Sequence, residues 1–472
     1  MSVLYHLLIN AKNHPNAPAI IADDGEVSYF ELFAYTLEFA KNLKSKNAKI
    51  GDKIVIKCYQ NIAFCVAFLG TQLAGCTAVP VEPDVTDSRL DIIKSELVDF
   101  KLFDQYNLSE FAMAKSDDVA KFDLNDLPSA DNVSEILYTT GTTGRQKGIM
   151  HSFTTQFCAV ENLLSIIDTP PNTKTLITCP MNHAFSIRRF YASIVTVSCT
   201  ALCKGVVPLQ KFHELLKEWE INAAVFAPSA LGIILNESKF DIKSSFERLN
   251  YIEFAGSYLQ SNLVTNTLQI ASHLKIYNVF GSSEFGCATG IDEAINNQKG
   301  CIGRPTIHTK VYIIDDNGNE LEDGKYGYLA LSGGSFMLGY ISGENILNKN
   351  GIYVTQDICY KKNGLIYFIG RDSDVINIGG LKVSPDDVED IANTYPLIMK
   401  SACVGKMHKL AGQVPVLFVV PKNGFSADEF YKFLKTHLQT HEFPKEIHQI
   451  DEIPHTYNGK IDRKKLRNIL NE

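Results

Sequence analysis

The sequence predicts an α/β protein of more than one domain. Through most of the first 330 residues, short apolar runs alternate with amphipathic stretches, which predicts parallel sheets covered by helices. From Lys310 to Ile369, short alternating segments are broken by Asp-Asn-Gly and Asp-Gly turns, which predicts antiparallel hairpins forming a small barrel. From about residue 375 helical and strand patterns mix again, so a domain boundary is expected between Asp372 and Val375. A chain of 472 residues also exceeds one ordinary core.

The elements follow in order. "KIVIKCY" (53–59) reads as a buried strand and "NIAFCVAFLGTQLAG" (61–75) as a helix packed beside it. "TLITCP" (175–180) and "AAVFAP" (223–228) are further short strands, and "HELLKEWE" (213–220) has apolar residues three and four apart, as a helix requires. "KVYIIDDNGNELEDGKYGYLALSG" (310–333) carries the hairpins. Beyond the boundary, "VEDIANTY" and "ADEFYKFLKTHL" read as helices and "VPVLFVVPK" as a strand.

Composition narrows the function. The hydrophobic fraction is 45% and the charged fraction 21%, as in a soluble globular protein. Net charge is −8, from 45 Lys+Arg against 53 Asp+Glu, which argues against a nucleic-acid partner. The eleven cysteines are scattered without a CxxC pair and read as buried thiols in a reducing compartment. The N-terminal stretch lacks the basic lead of a signal peptide, and no run reaches the roughly 18 apolar residues of a membrane helix. A cytoplasmic protein without a membrane span is expected.

The densest chemistry lies in "YTTGTTGRQKG" (138–148). Gly141 and Gly144 let the backbone curl so that several amides point at one anion. Thr139, Thr140, Thr142 and Thr143 add hydroxyl donors, and Lys147 adds charge. The stretch reads as a phosphate cradle. It is not the GxxxxGK nucleotide loop, because Arg145 follows Gly144.

This stretch resembles the signature of the acyl-adenylate-forming (AMP-binding) superfamily, above all its acyl-CoA synthetases and aryl-CoA ligases. That signature runs Tyr/Phe-Thr-Ser/Thr-Gly-Ser/Thr-Thr-Gly-x-Pro-Lys-Gly, and Gln146 stands here in place of the proline. Further motifs follow in the family's order over nearly the whole chain, beginning with "APAIIADDGEVSYFEL" (17–32), similar to its opening strand pair and helix. The resemblance implies a large N-terminal domain (1–373) of two α/β subdomains plus a small β-barrel (about 305–369). A small mobile α+β C-terminal domain (374–472) would follow, hinged at Asp374.

The resemblance also implies roles. In "PMNHAFSIRRF" (180–190), His183 would stand beside the acyl carboxylate. In "FAGSYL" (254–259), Gly256 and Ser257 would let the adenine lie against backbone. In "NVFGSSEFG" (278–286), Phe280 would stack on the base and Glu284 would hold Mg²⁺, with Gly281, Ser282 and Ser283 around the nucleotide. In "YVTQDI" (353–358), Asp357 would accept both ribose hydroxyls, with Gln356 replacing the usual glycine. Arg371 would touch the nucleotide, and Gly380 and Lys382 would face the thiol acceptor in a second arrangement of the domains. Ser373 and Asn377 depart from the family's usual aspartate and lysine. In "PHTYNGKIDRKKL" (454–466), Lys460 would bridge the carboxylate and the α-phosphate. Thr139, His183, Glu284 and Lys460 are the expected catalytic residues.

The expected reaction activates an aryl or fatty acid with ATP and passes it to coenzyme A. An acyl carrier protein is the alternative acceptor, and a non-catalytic acyl or nucleotide sensor is the alternative of another class. Residues 183–186 lack the aspartate that amino-acid-activating members place there, so an α-amino acid is disfavoured. Arg188 and Arg189 are read in two ways: as solvated helix residues, or with one of them facing the acyl pocket or pantetheine route. Ser257, Gly286 and Cys287 complete the candidate pocket.

Overall fold

The computed structural model describes residues 1–97, 100–104, 107–138, 147–236, 241–296, 298–344, 346–348, 350–379, 381–455 and 461–470. Three sheets organise them. The first has six strands in the order Gly339–Tyr340, Gly148–Ser152, Val133–Tyr138, Thr77–Val81, Lys53–Lys57 and Phe100–Phe103. The last four of these are parallel, and antiparallel pairing begins where Gly148–Ser152 joins Val133–Tyr138. The phosphate-loop sequence therefore connects two adjacent antiparallel strands, with Tyr138 opposite Gly148.

The second sheet is a path of thirteen strands. Its α/β part runs parallel through Lys275–Ser282, Tyr251–Ala255, Ala223–Phe226, Lys174–Ile177, Cys199–Leu202 and Pro18–Ala22. The opening hairpin, Pro18–Ala22 with Gly25–Ser28, closes one edge. A capping box then starts the first long helix, Tyr29–Ser45, through mutual bonds between Ser28 and Glu31. At the other end the path turns antiparallel through Gly286–Asp292 into Cys301–Pro305, Leu365–Arg371, Tyr353–Lys362, Gly327–Gly333 and Thr309–Ile314. Thr309–Ile314 comes back against Cys301–Pro305, which gives this β-rich part its barrel-like curl.

The third sheet begins at Ile376–Ile378, just after the second sheet ends at Arg371. Two long strands, Ile398–His408 and Gly412–Pro421, form its hairpin. The helices Pro385–Asn393 and Ala427–His437 cover one face, burying Val388, Ala392, Phe430 and Leu434. No helix among the described residues is long and apolar enough to cross a membrane. All eleven cysteines are free thiols, and nine of them are buried.

The helix Ala184–Val195 lies between the first two sheets and is pinned to both by consecutive arginines. Arg188 Nη2 lies 2.5 Å from Glu135 Oε1, on the strand Val133–Tyr138 of the first sheet. Arg189 Nη1 lies 3.3 Å from Glu253 Oε2, on the strand Tyr251–Ala255 of the second. Residues one apart on a helix point about 100° from each other, so adjacent arginines reach opposite neighbours. Arg189 and Glu253 are both wholly buried. Glu253→Ala leaves a buried, unpaired guanidinium and is expected to cost about 3–5 kcal/mol of stability. The denaturation midpoint checks this, and Arg189→Met combined with Glu253→Leu is expected to recover most of the loss.

Candidate active site

The small domain faces the large one across a cleft of about 2130 Å³. Lys147, His183, Arg188, Gly256, Ser257, Phe280, Gly281, Ser282, Ser283, Glu284, Gly286, Cys287, Asp357, Arg371 and Asp374 all line it. Residues far apart in sequence thus meet in one place. Lys382 stands off this lining, on the short strand Leu381–Val383. Thr139, Thr140, Gly141, Thr142, Thr143, Gly144, Gly380 and Lys460 lie outside the described residues. The residues flanking Lys460's segment, His455 and Ile461, are bridged to each other and both line the cleft.

The Glu284 segment is a tight turn between the strands Lys275–Ser282 and Gly286–Asp292. The register shifts after Phe280, so that Gly281 pairs with Cys287 and Ser282 with Gly286. A Cβ at Gly281 would sit 2.1 Å from the Gly286 carbonyl oxygen, so only glycine fits. The turn aims the carboxylate. Ser282 Oγ donates to Glu284 Oε2 at 2.6 Å, and the Tyr340 hydroxyl donates to Oε1 at 3.2 Å. The Glu284 carbonyl accepts from the Met337 amide at 2.7 Å.

His151 supports the same turn from below. Its Nε2 lies 2.8 Å from the Ser283 carbonyl and its Nδ1 3.1 Å from Thr155 Oγ1. Burial pushes this imidazole down to about 3, helped by the nearby Arg188 charge. It is therefore neutral, with the proton on Nε2, because a carbonyl can only accept. Tyr340 also joins the turn to the phosphate-loop strand. Lys147 Nζ lies 4.6 Å above its ring and 2.7 Å from Glu344 Oε2.

Another wall of the cleft comes from the β-rich part. Asp357 and Arg371 are register partners, with Arg371 Nε 3.6 Å from Asp357 Oδ1. Gln356 lies within the strand Tyr353–Lys362, at a shift in register where Ile358 pairs with Tyr328 but Val354 with Ala330. Phe280 packs between Phe285 and Phe368, with ring centroids at 6.3 and 6.0 Å. Gly256 has φ +87 with open space where a Cβ would be, as expected where a flat ligand approaches backbone.

At the opposite end, His183 sits at the start of the helix Ala184–Val195, and burial lowers its pKa. Arg188 and Arg189 correct the reading of a solvated helix residue, because both are buried. Arg189 belongs to the core, on Glu253 and Thr169. Arg188 does line the cleft, but Glu135 holds its guanidinium, and Tyr191 and Gln72 extend that network. Sequence reasoning missed Tyr340, His151, Glu344 and Glu135. The available signals were a lone glutamate within the apolar run "VSEILY" and a histidine in the short apolar run directly after the Gly/Thr stretch.

Glu284 fits a Mg²⁺ ion, which takes one or two protein carboxylates and fills its remaining positions with water and phosphate oxygens. Among the described residues, the one cluster of three metal-type side chains is Cys158, Glu161 and His308. It lies off the cleft, where a His308–Glu161 contact of 3.0 Å ties a turn to the helix Phe153–Leu164.

The aimed Glu284 carboxylate and the Asp357–Arg371 pair meet in one cleft that a small second domain faces, an arrangement that suits a nucleotide-dependent ligase. The chain belongs to the AMP-binding enzyme family. The model of the AMP-binding enzyme matches residues 8–341, and that of the AMP-binding enzyme C-terminal domain matches 387–460. It is an AMP-forming acid–thiol ligase, activating a carboxylic acid with ATP and passing it to a thiol. A 2-succinylbenzoate–CoA ligase of Staphylococcus aureus is 25% identical over 411 residues, spanning 86% of this chain and 80% of the relative. ATP-bound MatB of Rhodopseudomonas palustris superposes with a TM-score of 0.86 at 20% identity, over 100% of this chain and 99% of that one. The o-succinylbenzoate CoA synthetase (MenE) of Bacillus subtilis, in complex with OSB-AMP, gives 0.81 at 20% identity, over 98% and 97%.

Gly281→Ala tests the turn. The forced shift of the Gly286 backbone is expected to cost about 1–3 kcal/mol. It should lower ATP–pyrophosphate exchange at least tenfold, in proportion to a displaced Glu284.

Proposed function

We propose that the chain activates an aryl or fatty acid as its acyl-adenylate and transfers the acyl group to coenzyme A. The observation that carries this reading is the meeting in one cleft of Lys147, His183, Glu284, Asp357 and Arg371, from five separate segments. The curated CoA-ligase relatives support coenzyme A as the acceptor.

In the first half-reaction a carboxylate oxygen attacks the α-phosphorus of ATP. The bond to the β-phosphate breaks and pyrophosphate leaves. The problem is electrostatic, since one anion must approach another, and catalysis consists of placing positive charge and donors where charge develops. Thr139 to Gly144 and Lys147 serve the β- and γ-phosphates. Mg²⁺ bound at Glu284 would supply further neutralisation between phosphate oxygens. Lys460 bridges the attacking carboxylate and the α-phosphate. Phe280, Gly256 and Ser257 hold the base, while Asp357 and Arg371 hold the ribose side. His183, kept neutral by burial, orients the acyl carboxylate by a hydrogen bond without pairing it as an ion. Ser257, Gly286, Cys287 and Arg188 line the acyl end.

In the second half-reaction the thiol sulfur attacks the acyl carbon and AMP leaves with the bonding pair. The small domain turns about Asp374 for this step, bringing Gly380 and Lys382 towards the thiol. In the arrangement described, Asp374 is paired with Arg467 Nη1 at 3.0 Å.

Lys460→Ala is expected to lower adenylation by about 10²–10³ while ATP binding persists. Pyrophosphate release, measured with benzoate, 2-succinylbenzoate, octanoate and succinate, with and without coenzyme A, identifies acid and acceptor together. Normal adenylation by the Lys460 variant would remove the assignment.

A further inference from the structure

One helix of the small domain contacts both the large domain and Arg463, close in sequence to Lys460. The helix Pro385–Asn393 opens with Pro385 at its first turn and carries four acidic residues in six positions. Asp387 and Asp390 form one i,i+3 row, and Asp386 and Glu389 form the next. The first row meets the large domain. The Tyr258 hydroxyl donates to Asp390 Oδ2 at 2.6 Å, Ser261 Oγ reaches the same oxygen at 3.3 Å, and Lys299 Nζ lies 3.4 Å from Asp387. The second row meets Arg463, whose Nη2 lies 2.5 Å from Asp386 Oδ1 and 2.9 Å from Glu389 Oε1. Arg463 is three residues beyond Lys460 and lines the cleft itself.

We infer that Tyr258 and Asp390 are positioning residues for adenylation: through the helix Pro385–Asn393 and Arg463, their bond holds the small domain with His455, Ile461 and Arg463 against the cleft. The path is short and made of buried contacts. Asp390 and Glu389 are 8% and 3% exposed. The grip is also poised to release. Asp390 Oδ1 is buried without a hydrogen-bond partner among the described residues, and burial pushes this carboxyl up to about 7. A half-satisfied carboxylate costs free energy while docked and regains water when undocked. The contact therefore holds the domain without locking it, as an enzyme with two half-reactions requires. This inference rests on the proposed role of Lys460.

Tyr258→Phe removes the donor and little else. ATP–pyrophosphate exchange, with the fastest acid among benzoate, 2-succinylbenzoate, octanoate and succinate, is expected to fall about tenfold, the size of one hydrogen bond to a charged acceptor. Thioester formation from purified acyl-adenylate and coenzyme A should keep at least its wild-type rate. A general folding defect would lower both reactions. Asp390→Ala is expected to match Tyr258→Phe, and the double variant should lose no more than either. Asp390→Asn keeps an acceptor oxygen and should restore exchange. Unchanged exchange in Tyr258→Phe, equal loss of both half-reactions, or multiplied losses in the double variant would each overturn the inference. If Lys460→Ala exchanges normally, the function reading fails; if only the Tyr258 variant does, this inference fails alone.

Discussion

The large domain depends on two buried ion pairs made by neighbouring residues of one helix. Arg188 reaches Glu135 in the first sheet and Arg189 reaches Glu253 in the second. Burying two such pairs costs more desolvation than Coulomb attraction alone returns unless further bonds complete them. Tyr191, Gln72 and Thr169 supply part of them, while Arg188 Nε and Nη1, Arg189 Nε and Glu253 Oε1 are buried with no hydrogen-bond partner among the described residues. What the pairs contribute is register. They set the angle and depth at which the two sheets meet, and the cleft runs along that seam. His183, at the start of the same helix, and Glu135, on the strand leading into the phosphate loop, are placed by one device.

A second junction, at Tyr340, completes the seam. The strand Gly339–Tyr340 pairs with Gly148–Ser152 in the first sheet, while the Tyr340 hydroxyl and the Met337 amide bond Glu284 in the turn of the second. Lys147 lies over the same ring. The cation of the phosphate loop and the carboxylate suited to Mg²⁺ are thus spaced by one rigid aromatic side chain. His151 adds a neutral strut beneath the turn. Preorganisation of this kind matters because reorientation during reaction would consume the electrostatic gain.

Much of this was legible in the sequence, for a physical reason. Loops that approach a nucleotide need glycine, hydroxyl and carboxylate residues at fixed offsets, and such runs survive as local strings. The turn at "NVFGSSEFG" is an example, where the backbone approaches Gly281 too closely to admit a Cβ. The alternation of strands and helices likewise showed the two α/β sheets. Partners across sheets left no such string. Glu135 is 53 residues from Arg188, and Glu253 is 64 from Arg189, so the sequence left the arginines between a solvated helix face and the acyl pocket or pantetheine route. Tyr340 and Tyr258 were invisible for the same cause: each acts on a residue more than 50 positions away.

The charged groups of the cleft fall into two kinds, and the difference bears on how substrate enters. Arg188 is held by a buried carboxylate, and separating that pair would strand a charge in low dielectric, so it is fixed structure. Lys147 is held by Glu344, whose side chain is about half exposed. A pair in that setting is worth about 0–1 kcal/mol, so an arriving phosphate can take its place at little cost. Arg371 and Asp357, at 3.6 Å, are similarly loose on the arginine side. Exposed pairs therefore stand where the proposed function places the polyanionic substrate, and buried ones stand behind them. A related division recurs in the small domain, where Arg463 is buried on two carboxylates of its own domain while the contact of Asp390 with Tyr258 crosses to the large one. Rigid pairs set the geometry, and marginal ones mark the surfaces that exchange partners during the reaction.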